Sequence, residues 1–252
     1  MLAAMLRCSR VDSLETDSVR SYYDDFIDHL LYDRLRLNPR HVVIGRLLRR
    51  YVPRGGSVLD LGCGIGITSE IARRRAARVV AVDLAPRLIE YAAKTVPSVQ
   101  FEVGDIVSLR LAERFDVVCL FDVMEHVPTA RWADLWETVE IHLAEQGRVI
   151  VTVPHPAATI ETEEVNAGAR QIIEEVVSPA ELIAGAEKRG LVILEMRTYG
   201  VDREPEYLWA VLERLGRPAP KRRSRLIAPV ETLRVRLRAR RFWDAARQAS
   251  AC

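Results

Sequence analysis

The sequence predicts an α/β fold, a mostly parallel sheet with helices on both faces. Three observations carry that expectation. Five short apolar runs, Val58–Leu61, Val79–Asp83, Phe101–Ile106, Phe115–Phe121 and Gly147–Pro154, each lead into a helical pattern or a loop. Three glycines spaced two apart, Gly62, Gly64 and Gly66, stand between the first run and a helix. Two last runs, Leu191–Tyr199 and Glu206–Glu213, are joined by a short link and read as an antiparallel hairpin at the sheet edge. Runs apolar throughout, not alternating, belong to strands buried on both faces.

In chain order, residues 16 to 50 read as helical. Tyr22, Tyr23, Phe26, Ile27, Leu30 and Leu31 recur at three-to-four spacing, Asn38-Pro39-Arg40-His41 breaks the pattern, and Val42 to Tyr51 resumes it. The aromatics are either the core stripe of a helix or a cover over a ligand, and spacing leaves both open. After the first strand comes the glycine turn, then a helix from Thr68 to Arg75. Such a turn brings backbone close to a nucleotide-like ligand. Glycine serves there because a Cβ would block the ligand and because tight turns need positive φ. The second strand ends in Asp83, where a carboxylate can accept from both hydroxyls of a ribose. The third ends in Gly104-Asp105, the fourth runs into Asp122 to Pro128, and Gly147 opens the fifth. Pro154 to Val177 is long for a connection and carries Glu161, Glu163, Glu164, Glu174 and Glu175. Long loops at strand ends build acceptor sites. Its acids favour a cationic acceptor or form a solvated helix face, the plainer reading. Ser178-Pro179-Ala180-Glu181 opens a helix with an N-cap serine, a first-position proline and a third-position glutamate, and Gly190 closes it.

The string Asp60-x-Gly62-x-Gly64-x-Gly66 resembles motif I of the class I S-adenosylmethionine-dependent methyltransferases, with Ile67 where a dinucleotide fingerprint has its third glycine. The resemblance covers about residues 50 to 215. It implies a Rossmann-like, seven-stranded, mostly parallel sheet with a reversed last strand, helices on both faces and an N-terminal helical lid. It implies S-adenosylmethionine as cofactor, held by Asp60, Gly62, Cys63, Gly64 and Gly66, with Asp83 and Leu84 at the ribose. Asp105 would accept from the adenine amino group, Ile106 would pack on the ring, and Phe121 would close the strand-four side. A lid would place Tyr22 over the cofactor and let Arg40 reach an anionic group. The activity implied is methyl transfer to an oxygen or nitrogen of a small molecule, such as a natural-product, sugar or lipid-linked intermediate. The Asn/Asp-Pro-Pro-Tyr/Phe run of nucleobase N-methyltransferases is missing, since strand four ends in Phe121-Asp122-Val123-Met124. A NAD-dependent oxidoreductase is the competing reading, disfavoured by Ile67 and by the lack of a Tyr-x-x-x-Lys pair. A non-catalytic scaffold is the third.

Methyl transfer needs a nucleophile stripped of its proton, and histidine titrates nearest neutrality. There are five histidines. His155 follows strand five and His126 follows strand four, at the carboxyl ends of the sheet where ligands bind. His155 is the first candidate for general base and His126 the second. Asp122, Glu125, His126 and His155 also have the spacing for a divalent metal, although the run Asp-x-x-Glu-His occurs widely in metal-free members of the resembled family, so no metal is assigned.

At 252 residues and 49% hydrophobic, the chain suits one α/β domain with additions. The expected division is a lid over 1–50, a cofactor-binding core over 51–215 and a basic helical extension over 216–252. No apolar run approaches the roughly 18–20 residues of a membrane span, and Met1 to Arg10 lacks the order of a signal peptide. Four scattered cysteines without a Cys-x-x-Cys pair fit a reducing cytoplasm. The net charge of +2 hides an asymmetry. Residues 221–252 hold ten Lys and Arg against Glu231 and Asp244, so that segment is +8 and the remainder −6. With Leu226, Val230, Leu233 and Leu237 at helical spacing, the tail reads as a docked helix, or else as a contact for a membrane surface or anionic substrate. The acidic body argues against nucleic acid.

Overall fold

The computed structural model describes residues 16–35, 38–165, 171–201 and 205–216. The expectations for the extreme N-terminus and for the basic tail fall outside these residues. Within them lie α1 (Thr16–Asp25), α2 (Ile27–Leu35), α3 (Pro39–Tyr51), β1 (Ser57–Leu61), α4 (Ile67–Arg73), β2 (Arg78–Asp83), α5 (Pro86–Thr95), β3 (Gln100–Val103), β4 (Phe115–Phe121), α6 (Trp132–His142), β5 (Leu143–Pro154), α7 (Pro156–Val165), α8 (Pro179–Glu187), β6 (Leu191–Tyr199) and β7 (Tyr207–Arg214). Two short 3-10 turns, Met124–His126 and Thr129–Arg131, bridge β4 to α6.

The strands form one sheet in the order β3-β2-β1-β4-β5-β7-β6. Pairing is parallel from β3 to β5, and β7 runs antiparallel to both β5 and β6. The predicted seven-stranded sheet with its reversed last strand is therefore present. Side chains alternate between two cores. Leu59, Leu61, Val80, Val82, Val118, Leu120, Val149 and Val151 pack toward α6 and α8. Val58, Val79, Ala81, Val117, Cys119 and Ile150 pack toward α3 and α4. Each such Leu, Ile or Val side chain, fully buried, contributes about 1.5–3 kcal/mol. The order reverses between β1 and β4, and the crevice beyond their carboxyl ends is where open α/β sheets bind ligands.

Local chemistry corrects several boundaries. Asn38-Pro39 starts α3 and does not merely interrupt a helix: Asn38 Oδ1 accepts from the Arg40 N–H at 3.0 Å and Pro39 takes the first turn. The helical pattern read from residue 16 up to the Asn38 break is divided at Phe26, whose N–H bonds to Tyr22 and Tyr23 carbonyls. β3 ends at Val103, because Asp105 turns the chain by accepting from the Val107 N–H. The long connection after β5 contains α7, so it is not wholly a loop. Ser178 and Glu181 form the expected reciprocal capping box, and Gly190 has φ +68°. Among the described residues no helix is long and apolar enough to cross a membrane.

Candidate active site

A cavity of about 600 Å³ opens over the ends of β1, β2 and β4, within the range that holds small ligands. The glycine loop forms one wall. Gly62, Gly64 and Gly66 all have positive φ, at +74°, +52° and +79°. Their reasons differ. A Cβ on Gly62 would collide with Val123, and one on Gly66 would lie 2.7 Å from Phe101 Cζ. A Cβ on Gly64 meets nothing nearer than Leu30 Cδ1 at 3.4 Å. Gly64 is the glycine that leaves space for a ligand, and Gly66 is off the cavity wall.

Asp60 is also off the wall. It is 2% exposed and accepts from Thr68 Oγ1 at 2.8 Å and Ser69 Oγ at 2.6 Å, so it braces the start of α4 against β1 and does not face a ligand. Burial pushes its carboxyl up to about 6. Asp83 does face the cavity. It accepts from the Gly64 N–H at 2.8 Å and the Ala85 N–H at 3.0 Å, and burial raises its pKa despite those donors. A carboxylate has about four lone-pair sites, so Asp83 keeps capacity for a vicinal diol. Cys63, Leu84, Ile106 and Phe121 line the cavity as expected. Asp105 lines it as well, with Oδ2 in an ion pair with Arg131 at 2.8 Å, a partner the sequence did not suggest.

α1 and α2 cover the opposite side. Tyr23, Ile27, Leu30 and Leu31 pack on Ile65, Ala85 and Leu88. Tyr23 lines the cavity and Tyr22 does not. One residue turns a helix by about 100°, and Tyr22 stacks instead on Phe26 with ring centroids 6.0 Å apart. Arg40 is held by Asp33 at 2.9 Å and Asp122 at 3.0 Å and lies over the Tyr207 ring. Asp122, at φ +54°, is bound to β5 by Thr152, whose Oγ1 donates to Oδ1 at 2.7 Å.

The two histidine candidates separate. His126 is on the cavity wall, its ring edge-on to Tyr23 at 5.8 Å. Its Nδ1 donates to the Ile173 carbonyl at 2.9 Å, which leaves Nε2 as the acceptor, 4.0 Å from Glu125 Oε1. Burial lowers its pKa, so it is neutral at pH 7. His155, the first candidate, is not on this wall. Extended chain alternates sides: Pro154 faces the cavity, while His155 faces a shallow groove with Met196 and Leu208. Its Nδ1 accepts from the Ala157 N–H at 3.3 Å at the start of α7. His155 therefore cannot complete a metal set with Asp122, Glu125 and His126, and among the described residues no three such side chains come together to hold a metal ion. Tyr23, one of the aromatics expected either to cover a ligand or to fill the core, and Glu174 of the acidic connection are on the wall, and so are Tyr207 and Arg131, which the sequence reading missed. The only signal for these last two was position at strand or helix ends, since the partners that turn them inward come from distant segments.

A family model described as a methyltransferase domain matches residues 36–196. The chain belongs to the class I S-adenosylmethionine-dependent methyltransferases. It is 38% identical over 98 residues to a ubiquinone biosynthesis O-methyltransferase of Xanthomonas axonopodis pv. citri (strain 306), covering 36% of this chain and 40% of that protein. The enzyme of the same name from Methylocella silvestris is 41% identical over 100 residues, covering 36% and 39%. The matched segment thus spans about two fifths of these curated relatives. The magnesium protoporphyrin IX methyltransferase of Synechocystis PCC 6803, solved with bound SAH, superposes with a TM-score of 0.63 at 17% identity over 79% of this chain and 99% of that one. A TehB-like methyltransferase from Corynebacterium glutamicum gives 0.60 at 20%, over 77% and 98%. These two likenesses are of fold.

The residues of this methyltransferase fit its family's cofactor. Gly64 leaves an open cradle, Asp83 stands at the strand tip with free lone pairs, and Leu84 and Ile106 are apolar walls beside Asp105.

Proposed function

We propose that this methyltransferase moves a methyl group from S-adenosylmethionine to an oxygen or nitrogen of a small molecule, with His126 as general base. The observation that carries the assignment of the base is the fixed tautomer of His126. Ile173 O takes the Nδ1 proton, and burial keeps the ring neutral, so Nε2 is ready to take another. S-adenosylmethionine supplies an electrophilic methyl whose bond electrons stay on sulfur as the acceptor's lone pair forms the new bond. Gly62, Cys63 and Gly64 would hold its amino-acid part, Asp83 and Leu84 its ribose, and Asp105 and Ile106 its base. α1 and α2 keep water from the reacting groups, and positioning supplies much of the rate. Asp60 and Gly66 set the loop in place from behind, a positioning role.

The reading includes a free small-molecule acceptor and not a nucleic acid, and a cytoplasmic location, for which the unpaired Cys63 and Cys119 thiols are supporting chemistry. Calorimetric titration with S-adenosylhomocysteine and with NAD tests it. Micromolar binding of the first alone is the expected result, and preference for NAD would overturn the assignment. His126→Gln should then retain that affinity and lose about 10²–10⁴-fold in turnover.

A further inference from the structure

Two polar atoms inside the cavity wall lack any hydrogen-bond partner: Glu125 Oε2 and the Tyr23 hydroxyl. Both side chains line the cavity, and Glu125 is only 2% exposed. A buried polar atom without a partner costs about 1–3 kcal/mol, so an unpaired pair on the wall of an open cavity is what a ligand would complete. The charges around them are one-sided. Asp33, Asp83, Asp105, Asp122 and Glu174 line this cavity against Arg40 and Arg131, and beside them stands Glu125, whose pKa burial and the neighbouring Asp122 raise, so that a cation bound beside it is what restores its charge. Both arginines are already paired, Arg40 to Asp33 and Asp122, Arg131 to Asp105. The histidine beside Glu125 is neutral, and the Tyr23 ring lines the same wall.

Resting on the methyltransferase reading above, we propose that the acceptor is a protonated amine whose N–H groups are received by Glu125 Oε2 and the Tyr23 hydroxyl. An ammonium has several donors and a positive charge, and so meets both the unpaired acceptors and the acidic excess. An alcohol meets neither fully. One ammonium proton passes to His126 Nε2, 4.0 Å from the Glu125 carboxyl, which frees the nitrogen lone pair for the methyl. Glu125 and Tyr23 thereby set acceptor class, while the glycine loop and Asp83 set the cofactor.

The test uses two probes of one shape, benzylamine and benzyl alcohol, titrated into the full chain saturated with S-adenosylhomocysteine at neutral pH. Benzylamine should bind about tenfold more tightly. Glu125→Gln, which keeps the shape but cannot ionise, should erase that preference and leave S-adenosylhomocysteine affinity within about twofold. Tyr23→Phe should reduce it by about threefold. Equal affinities, a preference for the alcohol or no benzylamine binding would overturn the proposal. So would a Glu125→Gln protein in which cofactor affinity falls as far as amine affinity, since the orphan atom would then serve the cofactor. Failure of the unaltered protein to bind S-adenosylhomocysteine would instead sink the methyltransferase reading itself.

Discussion

At the residue scale, the three motif glycines look equivalent in sequence and are not. Gly66→Ala places a methyl 2.7 Å from Phe101 at a φ of +79°, so both sterics and backbone oppose it. It should lower stability by about 2–5 kcal/mol, summing overpacking and the left-handed conformation. Gly64→Ala meets no such wall. It should cost about 1–2 kcal/mol of stability from its φ alone, yet weaken S-adenosylhomocysteine binding more than Gly66→Ala does. Thermal melts beside calorimetry separate the two effects. The motif was legible because glycine spacing is local. Which glycine faces the ligand was not, because Val123, just after β4, and Phe101 of β3 come from other segments. The same limit governed histidine. His126 and His155 both follow strands, and only the alternation of sides at Pro154 turns one inward and the other away. His126 also carries a pH prediction. Burial lowers its folded pKa below the ordinary value of about 6.5. The unfolded chain then binds the proton more readily, so its contribution to stability is present above pH 6.5 and is lost as pH falls through and below that value. His41 and His142 shift the same way. Asp60, Asp83 and Glu125, raised by burial, act in the opposite sense, so the histidine contribution is read from the variant: between pH 7.5 and 5.5 the denaturant midpoint of His126→Gln should fall less, or rise more, than that of the unaltered protein.

Among the elements, α8 was the most legible, because a cap is written in four consecutive residues. The Ser178 hydroxyl accepts from the Glu181 N–H at 3.2 Å, and Glu181 Oε2 accepts from the Ser178 N–H at 3.3 Å. Ser178→Ala should cost about 1 kcal/mol. What the cap could not disclose is how closely this helix packs. Gly185 stands against the Trp136 indole of α6, so near that a Cβ would overlap Nε1. Trp136 is 2% exposed and has no room to retreat. Gly185→Ala, which on propensity alone should favour the helix by about 1 kcal/mol, is expected to destabilise instead, by about 1–3 kcal/mol. A melting temperature above that of the unaltered protein would show that α8 slides freely. The β3 and α7 boundaries were hidden for a related reason. Asp105 ends β3 through a turn that an apolar run cannot signal, and an alanine- and glutamate-rich connection reads as either loop or helix until it is packed.

For the molecule from α1 to β7, the mostly parallel sheet was legible in its apolar runs, and the reversed last strand in the short hairpin and the family resemblance; the strand order was not read from the sequence. Nor was the attachment of the covering helices, since it rests on a long-range ionic junction. Arg40 joins Asp33 of α2 to Asp122 at the end of β4, and its guanidinium lies 5.5 Å from the Tyr207 ring of β7. Its side chain is 24% exposed, so the junction is shielded enough to matter without bearing the full cost of a buried charge. Removing Arg40 leaves two carboxylates facing one another across the cavity mouth. Arg40→Ala should lower stability by roughly 2 kcal/mol, seen as about 4–8 °C in melting temperature. Arg40→Lys should recover little, because an ammonium is a point charge and cannot fork to two carboxylates while stacking on a ring. Hydrogen exchange distinguishes a general loss from a local one. If the junction holds the cover, amides of residues 16–35 should lose protection first while β1 and β4 keep theirs. If protection falls evenly across sheet and helices, Arg40 serves the core and the cover is held by its other contacts, the apolar Tyr23, Ile27, Leu30 and Leu31 and the Arg34–Glu70 and Arg87–Asp25 pairs.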